Sequence, residues 1–356
     1  MSIAAVAAII TMFFVPPDRE YLSYFDLRTL SCLFGTLAVV CALKNIWFFR
    51  IVSGTIVQIF HNARSAILAL TYITLFGSML IANDMALITF LPLGFYVLES
   101  TDNKKYLAFT FIMQNVAANL GGMLTPFGNP QNLYLYSFFN IPTNEFISIM
   151  LIPFILSFSL ITLCVYIFVK PENLAIHRVF HAKLAPGRTV IYLILFSLSI
   201  AIVFRAVNHL IGVAIITAAL LILDRKALKD VDYGLLLTFC AFFVFSGNMS
   251  RIEAIKELIG SVVSEYTLIS GIVSCQFISN VPTAVLLSRF TENYRELLVA
   301  VNIGGIGTLI SSLASLITFR QYLKADRPGI KKYLIEFTVI NFALLIILTL
   351  SVMIFM

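Results

Sequence analysis

The chain has 356 residues, 60% of them apolar and 12% charged; 24 Lys and Arg against 18 Asp and Glu give a formal charge of +6, and the mean hydropathy is +0.96. Soluble globular chains run at about 45–50% apolar and about 25% charged, so this composition belongs in lipid and excludes an ordinary soluble enzyme, a disordered tail and a nucleic-acid binder. The basic residues sit in short loops between apolar runs, where they report membrane orientation rather than a surface for a polyanion.

A hydrocarbon core of about 30 Å takes roughly 17–25 helical residues, and cutting the chain where charges, Pro or Gly cluster yields its segments. Residues 1–15 lack the charged start and the cleavage site of a signal peptide and read as a first span. A span over 27–43 leads into a sparsely charged stretch, 45–62, that reads as an interfacial amphipathic helix. The apolar stretch 65–99 is interrupted midway by Ala82-Asn83-Asp84 and reads as a re-entrant helical hairpin. The next span, 106–135, carries Gly121-Gly122 and then Thr125-Pro126-Phe127-Gly128-Asn129-Pro130, whose prolines and glycine break a helix at mid-depth. A span over 145–169 closes the first half, 1–169, and a basic linker, 170–188, leads to the second, 189–356. That half has spans at 189–206, 210–224 and 233–248, an interfacial helix at 249–264 and a hairpin at 266–290 interrupted by Ser279-Asn280-Val281-Pro282. A Gly-Gly-interrupted span, 294–322, and a last span, 334–355, complete it.

If both interrupted stretches enter and leave on one side, residues 44–64, 99–105, 170–188, 224–232 and 320–333 share a side holding 17 of the 24 basic residues. Arg19, Arg28, Arg205, Arg251, Lys256, Arg289 and Arg295 remain opposite. The bias makes the first side cytoplasmic, with the N-terminus inside and the C-terminus outside.

The segment from Asn119, NLGGMLTPFGNPQNL, matches NIGGIGTLISSLASL from Asn302 at an offset of 183, so that Asn119, Gly121, Gly122, Thr125 and Asn132 fall on Asn302, Gly304, Gly305, Thr308 and Ser315. Both are preceded by a hairpin with Asn at its tip, Asn83 and Asn280, and the topology above makes the two repeats inverted. The fold class is therefore an all-α polytopic membrane protein of two inverted repeats, each with a re-entrant hairpin and a broken helix. Paired broken helices at mid-depth are the sequence pointer to a secondary transporter, because freed carbonyls coordinate a cation or share a proton while helix N-termini favour an anion. Asp84 is the one acidic residue deep in an apolar segment; it reads both as a proton-binding or cation-binding carboxylate and as a cap for its helix.

Other features carry no chemistry. Cys32, Cys41, Cys164, Cys240 and Cys275 lie in apolar segments without paired spacing and read as packing residues. His177 and His181, four apart, have no third ligand nearby and read as loop residues, so no metal site is expected. There is no H-E-x-x-H motif, no paired intramembrane aspartates and no Ser/His dyad, so the chain is not read as an enzyme.

IANDMALITFLP (81–92), NLGGMLTPFGNPQNL (119–133), ISNVPTAVLL (278–287) and VNIGGIGTLISSLASLI (301–317) resemble the ion transporter superfamily of arsenite permeases, NhaD-type sodium/proton antiporters, citrate-Mg transporters and divalent-anion/sodium symporters. The likeness is strongest to the short bacterial citrate-transporter-like inner-membrane proteins of the YbiR type, and it runs over nearly the whole chain. It implies a scaffold domain that also forms a homodimer interface and a transport domain that moves like an elevator. The Asn-Asp tip resembles the arsenite permease and antiporter branches, whereas the sodium-coupled dicarboxylate branch carries Ser-Asn-Thr. The expectation is a bacterial inner-membrane transporter of a small anion, a carboxylate or an inorganic oxyanion such as arsenite, coupled to H⁺ or Na⁺, with no cofactor unless Na⁺ is the coupling ion; the alternative is a Na⁺/H⁺ antiporter without an anion substrate. A passive channel is a remoter alternative. Asn83, Asp84, Gly121, Gly122, Ser279, Asn280, Gly304 and Gly305 are the expected coupling-ion residues. Thr125, Asn129, Asn132, Asn280, Thr283, Thr308 and Ser315 are the expected substrate residues.

Overall fold

A computed structural model of the chain describes residues 2–57, 60, 62–173 and 184–355; His177 and His181 lie outside them. Helices α1 (Ser2–Phe14), α2 (Tyr21–Tyr24), α3 (Leu27–Asn45) and α4 (Phe48–Val57) lead to α5 (Ala63–Ile81) and α6 (Asn83–Ser100). Then come α7 (Leu107–Gly121), α8 (Pro130–Phe138) and α9 (Thr143–Phe168). Beyond the linker are α10 (Pro186–Val203), α11 (His209–Leu223), α12 (Arg225–Lys229), α13 (Tyr233–Arg251) and α14 (Glu253–Glu265). The chain continues through α15 (Thr267–Ile278), α16 (Asn280–Leu287), α17 (Tyr294–Ile303), α18 (Leu313–Ala325) and α19 (Ile330–Phe355). Among the described residues the only β pairing is one isolated bridge, Asn62 to Asn173.

Among the described residues six helical segments are long and apolar enough to cross a membrane, or seven if the bent pair α13–α14 is one span. The molecule is a multi-pass, all-helical membrane protein. Two predicted spans fall short: α1 with 13 residues and α11 with 15 rise about 20 Å and 23 Å at 1.5 Å per residue. Asp224 ends α11 and caps α12 by accepting the Ala227 N–H at 3.0 Å. The seventh span is longer than expected, because α13 runs on to Arg251 before extended Ile252 turns the chain through 97° into α14.

Helix starts are written into the sequence as side-chain caps. Asp26, Asn62, Asn208, Asp232, Asn293 and Ser312 each accept a backbone N–H from the first turn that follows, a contact worth about 1 kcal/mol. The segment Lys104–Leu124 around α7 is 94% buried, against 28% for α9 and 33% for α19. Thus α7 is the central post, packed by α5, α6, α9, α18 and α19, while α9 and α19 present apolar faces outward.

The polar loops collect at two ends. At one, Arg64 Nε donates to the Val169 carbonyl at 2.8 Å, the Ala63 N–H donates to the Glu172 carbonyl at 2.8 Å and Lys105 pairs with Glu172. Asn45 donates to the Asp224 carboxylate at 3.2 Å, within a second group of the loops expected on the basic side. At the other end Arg251 pairs with Asp18 at 2.6 Å, Arg205 donates to the Tyr136 carbonyl at 3.0 Å and Arg295 pairs with Glu145 at 2.6 Å.

Candidate functional site

Two helix pairs break at a single residue. Ala82, between α5 and α6, has φ 64° and ψ 151°; Ser279, between α15 and α16, has φ 75° and ψ 156°. This region is sparsely populated for a residue with a Cβ and costs about 1–3 kcal/mol where it persists. One such residue ends a helix and starts the next without a loop. At both tips the following Asn turns its side chain back: Asn83 Oδ1 accepts the Asp84 N–H and Asn280 Oδ1 the Val281 N–H, each at 2.9 Å.

The two other interruptions are held against these pairs by matching bonds. Thr125 Oγ1 donates to the Met79 carbonyl at 2.8 Å, and Thr308 Oγ1 donates to the Gln276 carbonyl at 3.0 Å. Each acceptor lies three residues before its break. Gln276 does more: its Nε2 donates to the Gly304 carbonyl at 2.9 Å and its Oε1 accepts the Thr308 N–H at 2.9 Å, satisfying backbone freed where α17 ends. Gly307, at φ +122°, lies directly against this amide and leaves no room for a Cβ. Asn132 plays the corresponding part after α7, donating to the carbonyls of Gly122 (3.1 Å), Met123 (3.3 Å) and Thr125 (3.3 Å).

A buried asparagine network ties the interruptions together. Asn302 Nδ2 donates to Asn132 Oδ1 at 2.6 Å, Asn129 Nδ2 donates to Asn302 Oδ1 at 3.2 Å, and Asn115 Nδ2 donates to Ser315 Oγ at 3.2 Å. Asn83 Nδ2 reaches Asn119 Oδ1 at 3.4 Å. Such a network, buried and almost fully paired, specifies one arrangement of its helices.

Beside it lies a cavity of about 370 Å³, lined by both tips (Asn83 and Asp84; Ser279, Asn280, Val281 and Pro282), by Pro130, Gln131 and Leu313, and by Asp232, Gly234, Leu235 and Thr238. Residues nearly 200 positions apart thus share one wall. Every wall segment is the start of a helix: α6, α8, α13, α16 and α18. Each helix N-terminus carries about half a positive charge, and the C-termini of α5 and α15, which end at the same two tips, carry about half a negative charge each, so the helix ends together oppose the two carboxylates, Asp84 and Asp232, with about one and a half positive charges. Among the described residues no Lys or Arg lines the cavity. Three acceptor oxygens in this region, Asp84 Oδ1, Asn129 Oδ1 and Gln131 Oε1, are buried without a hydrogen-bond partner among the described residues.

Of the residues expected to bind the coupling ion, Asn83, Asp84, Ser279 and Asn280 line the cavity. Gly121 and Gly122 do not: a Cβ on Gly121 would collide with the Leu75 carbonyl of α5, and one on Gly122 with the Asn129 side chain. Gly304 meets Ala300 and Cys275, and Gly305 faces Asn280 Nδ2 at 3.0 Å from its Cβ position. Of the expected substrate residues Asn280 lines the cavity, whereas Thr125, Asn129, Asn132, Thr308 and Ser315 sit behind it, engaged in the bonds above, and Thr283 Oγ1 donates to the Ser279 carbonyl at 2.8 Å. Gln131 and Asp232 were not anticipated. Gln131 lies inside a motif whose prolines and asparagines carry its signal. Asp232 falls at the end of the basic loop 224–232, and its only sequence signal is its position as a cap directly before an apolar run.

Residues 1–294 match the citrate transporter family. The chain is 34% identical over 302 residues to the uncharacterized transporter MJ0456 of Methanocaldococcus jannaschii, covering 85% of this chain and 82% of that one. It is 28% identical over 321 residues to the inner membrane protein YbiR of Escherichia coli, covering 87% and 84%. A shorter likeness, 31% over 135 residues, links it to the silicon efflux transporter LSI3 of Oryza sativa subsp. japonica, covering 37% of this chain and 27% of that protein. The helical membrane fold, the cavity at the broken helices and these matches agree: the chain belongs to the citrate transporter family.

Proposed function

We propose that the protein is a secondary active transporter of a small carboxylate or oxyanion, with H⁺, or in its place Na⁺, as the coupling ion. The observation that carries this reading is the meeting of five helix N-termini around one cavity that also holds Asp84. N-terminal dipoles and first-turn N–H groups attract an anion without any Lys or Arg. With both carboxylates ionised the cavity is near electrical balance; a proton or cation on Asp84 tips it toward a net positive field that accepts an anion. Co-binding of solute and H⁺ follows from that balance. The family's description names citrate, a carboxylate.

The two halves act as inverted repeats, and the hairpins move with the interruptions against a scaffold, an elevator in which the basic end faces the cytoplasm of a bacterial inner membrane. The matching backbone angles at Ala82 and Ser279 and the matching threonine bonds support this arrangement. The second reading, a Na⁺/H⁺ antiporter, is favoured by one observation, the pairing of two carboxylates with orphaned acceptor oxygens.

Proteoliposomes enclosing a pH-sensitive dye, challenged in turn with citrate, succinate, sulfate, phosphate, arsenite and Na⁺, separate these readings. Proton movement that requires one of the anions supports symport. Proton movement driven by Na⁺ alone supports antiport, and a protein that moves protons with none of these solutes overturns both.

A further inference from the structure

A second cavity, of about 280 Å³, lies away from the first, where α3, α4, α6 and α12 meet at the end of the molecule rich in Lys and Arg. Three cations from three helices line it: Lys44 in the last turn of α3, Arg50 in the first turn of α4 and Lys226 in α12. No carboxylate lines it, and neither Lys44 nor Lys226 belongs to an ion pair among the described residues. The acid nearest in sequence to Lys226, Asp224, is taken up by Asn45 and by the α12 cap. The remaining wall is apolar at Phe49, Ile88 and Pro92 and polar at Asn45 and Thr89. Trp47 stands at the rim, 53% exposed, with the Arg50 guanidinium 5.1 Å from its ring centre. A tryptophan beside basic groups at the end of a span is the usual composition of a membrane-water interface.

We propose that this cavity binds the phosphate headgroup of an anionic membrane phospholipid. The three cations match a phosphodiester, the apolar part of the wall matches the first carbons of its chains, and α4, which carries Arg50, packs against both α3 and α6. Lys44 and Lys226 belong to the cluster of α3, α11 and α12, whereas Ile88 and Pro92 belong to α6, four and eight residues beyond Asp84. A lipid there bridges the helix carrying the cavity carboxylate to its neighbours.

Trp47 is the only tryptophan in the chain, so its fluorescence reports this cavity alone. The test is titration of the detergent-solubilised protein with phosphatidylglycerol brominated near the head of its acyl chains, against equally brominated phosphatidylcholine and against inorganic phosphate. Saturable quenching by phosphatidylglycerol at concentrations well below those of phosphatidylcholine is expected. Lys44→Gln and Lys226→Gln each weaken it by about fivefold, the share of one basic residue at a membrane surface. Lys226→Arg, which keeps the charge, restores the wild-type response, and this separates lost binding from a damaged fold. Equal quenching by both lipids, or no change in the glutamine variants with the same elution profile, overturns the proposal. Competition by millimolar inorganic phosphate as strong as that by the lipid overturns it too, since it makes the cavity a free-anion site.

Discussion

Replacing Asp84 by Asn removes the one hairpin-tip carboxyl, because the second tip carries Val281 at the corresponding place. Asn is a neutral isostere of the protonated acid, so the cavity keeps its five helix starts and loses only the ability to release a proton. Each proton carried per solute converts one unit of pH difference into about 1.4 kcal/mol, a tenfold accumulation ratio. With membrane potential clamped, wild-type proteoliposomes are expected to concentrate the solute about tenfold more for each added pH unit, if Asp84 carries one proton per cycle. Asp84→Asn is expected to show no such slope while still exchanging labelled for unlabelled solute at equal pH. The assay is steady-state uptake of radiolabelled solute at imposed pH differences of zero, one and two units. A variant that keeps the tenfold slope refutes the assignment and leaves Asp84 without a coupling role, since α6 carries no side-chain cap and Asp84 Oδ1 has no partner among the described residues; a variant that loses exchange as well places Asp84 in solute binding instead.

Asp232→Asn keeps the cap of α13 and removes one negative charge from the cavity wall. At about 8 Å and an effective dielectric constant of about 20 that charge costs an anion roughly 2 kcal/mol, so KM for the anion should fall at least tenfold, and an unchanged KM in initial-rate uptake removes Asp232 from the site. The Asn302–Asn132 bond joins the two interruptions, and a double-mutant cycle of the alanine variants in thermal unfolding should return a coupling of about 1–3 kcal/mol; additive losses contradict the network. Gly121→Ala forces a methyl against the Leu75 carbonyl and should cost about 1–3 kcal/mol, seen as a lower melting temperature, whereas Gly187→Ala, with nothing within 4 Å, should not. The Arg251 guanidinium bonded to Asp18 holds that carboxyl below its ordinary range. The pair therefore stabilises the fold above the ordinary aspartate value of about 3.9 and loses that contribution as pH falls through the lowered folded value, so Asp18→Asn should melt below wild type at pH 7 and together with it in strong acid.

Much of the architecture was legible because a bilayer leaves few options. Apolar length set the spans, and residues that cannot continue a helix, Pro126, Gly128 and Pro130 among them, marked where α7 stops and α8 starts. The interruption after α17 was legible from the Gly304-Gly305 match despite having no proline. Boundaries were less so: nothing in residues 249–252 announces that α13 continues to Arg251, because a helix end there depends on where α14 lies down.

The sequence by itself determined that this is a multi-pass helical membrane protein, where its helices break, and that Asn83, Asp84, Ser279 and Asn280 belong to special tips. Only the tertiary structure decided what those tips face. Local pattern could not distinguish a threonine that lines a cavity from one, like Thr125 or Thr308, whose hydroxyl is spent on a neighbouring carbonyl, since both read as a polar residue in an apolar span. Nor could it bring Asp232 and Gln131 to the same cavity as Asp84. Helix breaks are set by the backbone chemistry of a few consecutive residues, whereas a cavity is set by which helix starts meet, a property of packing between segments distant in the chain.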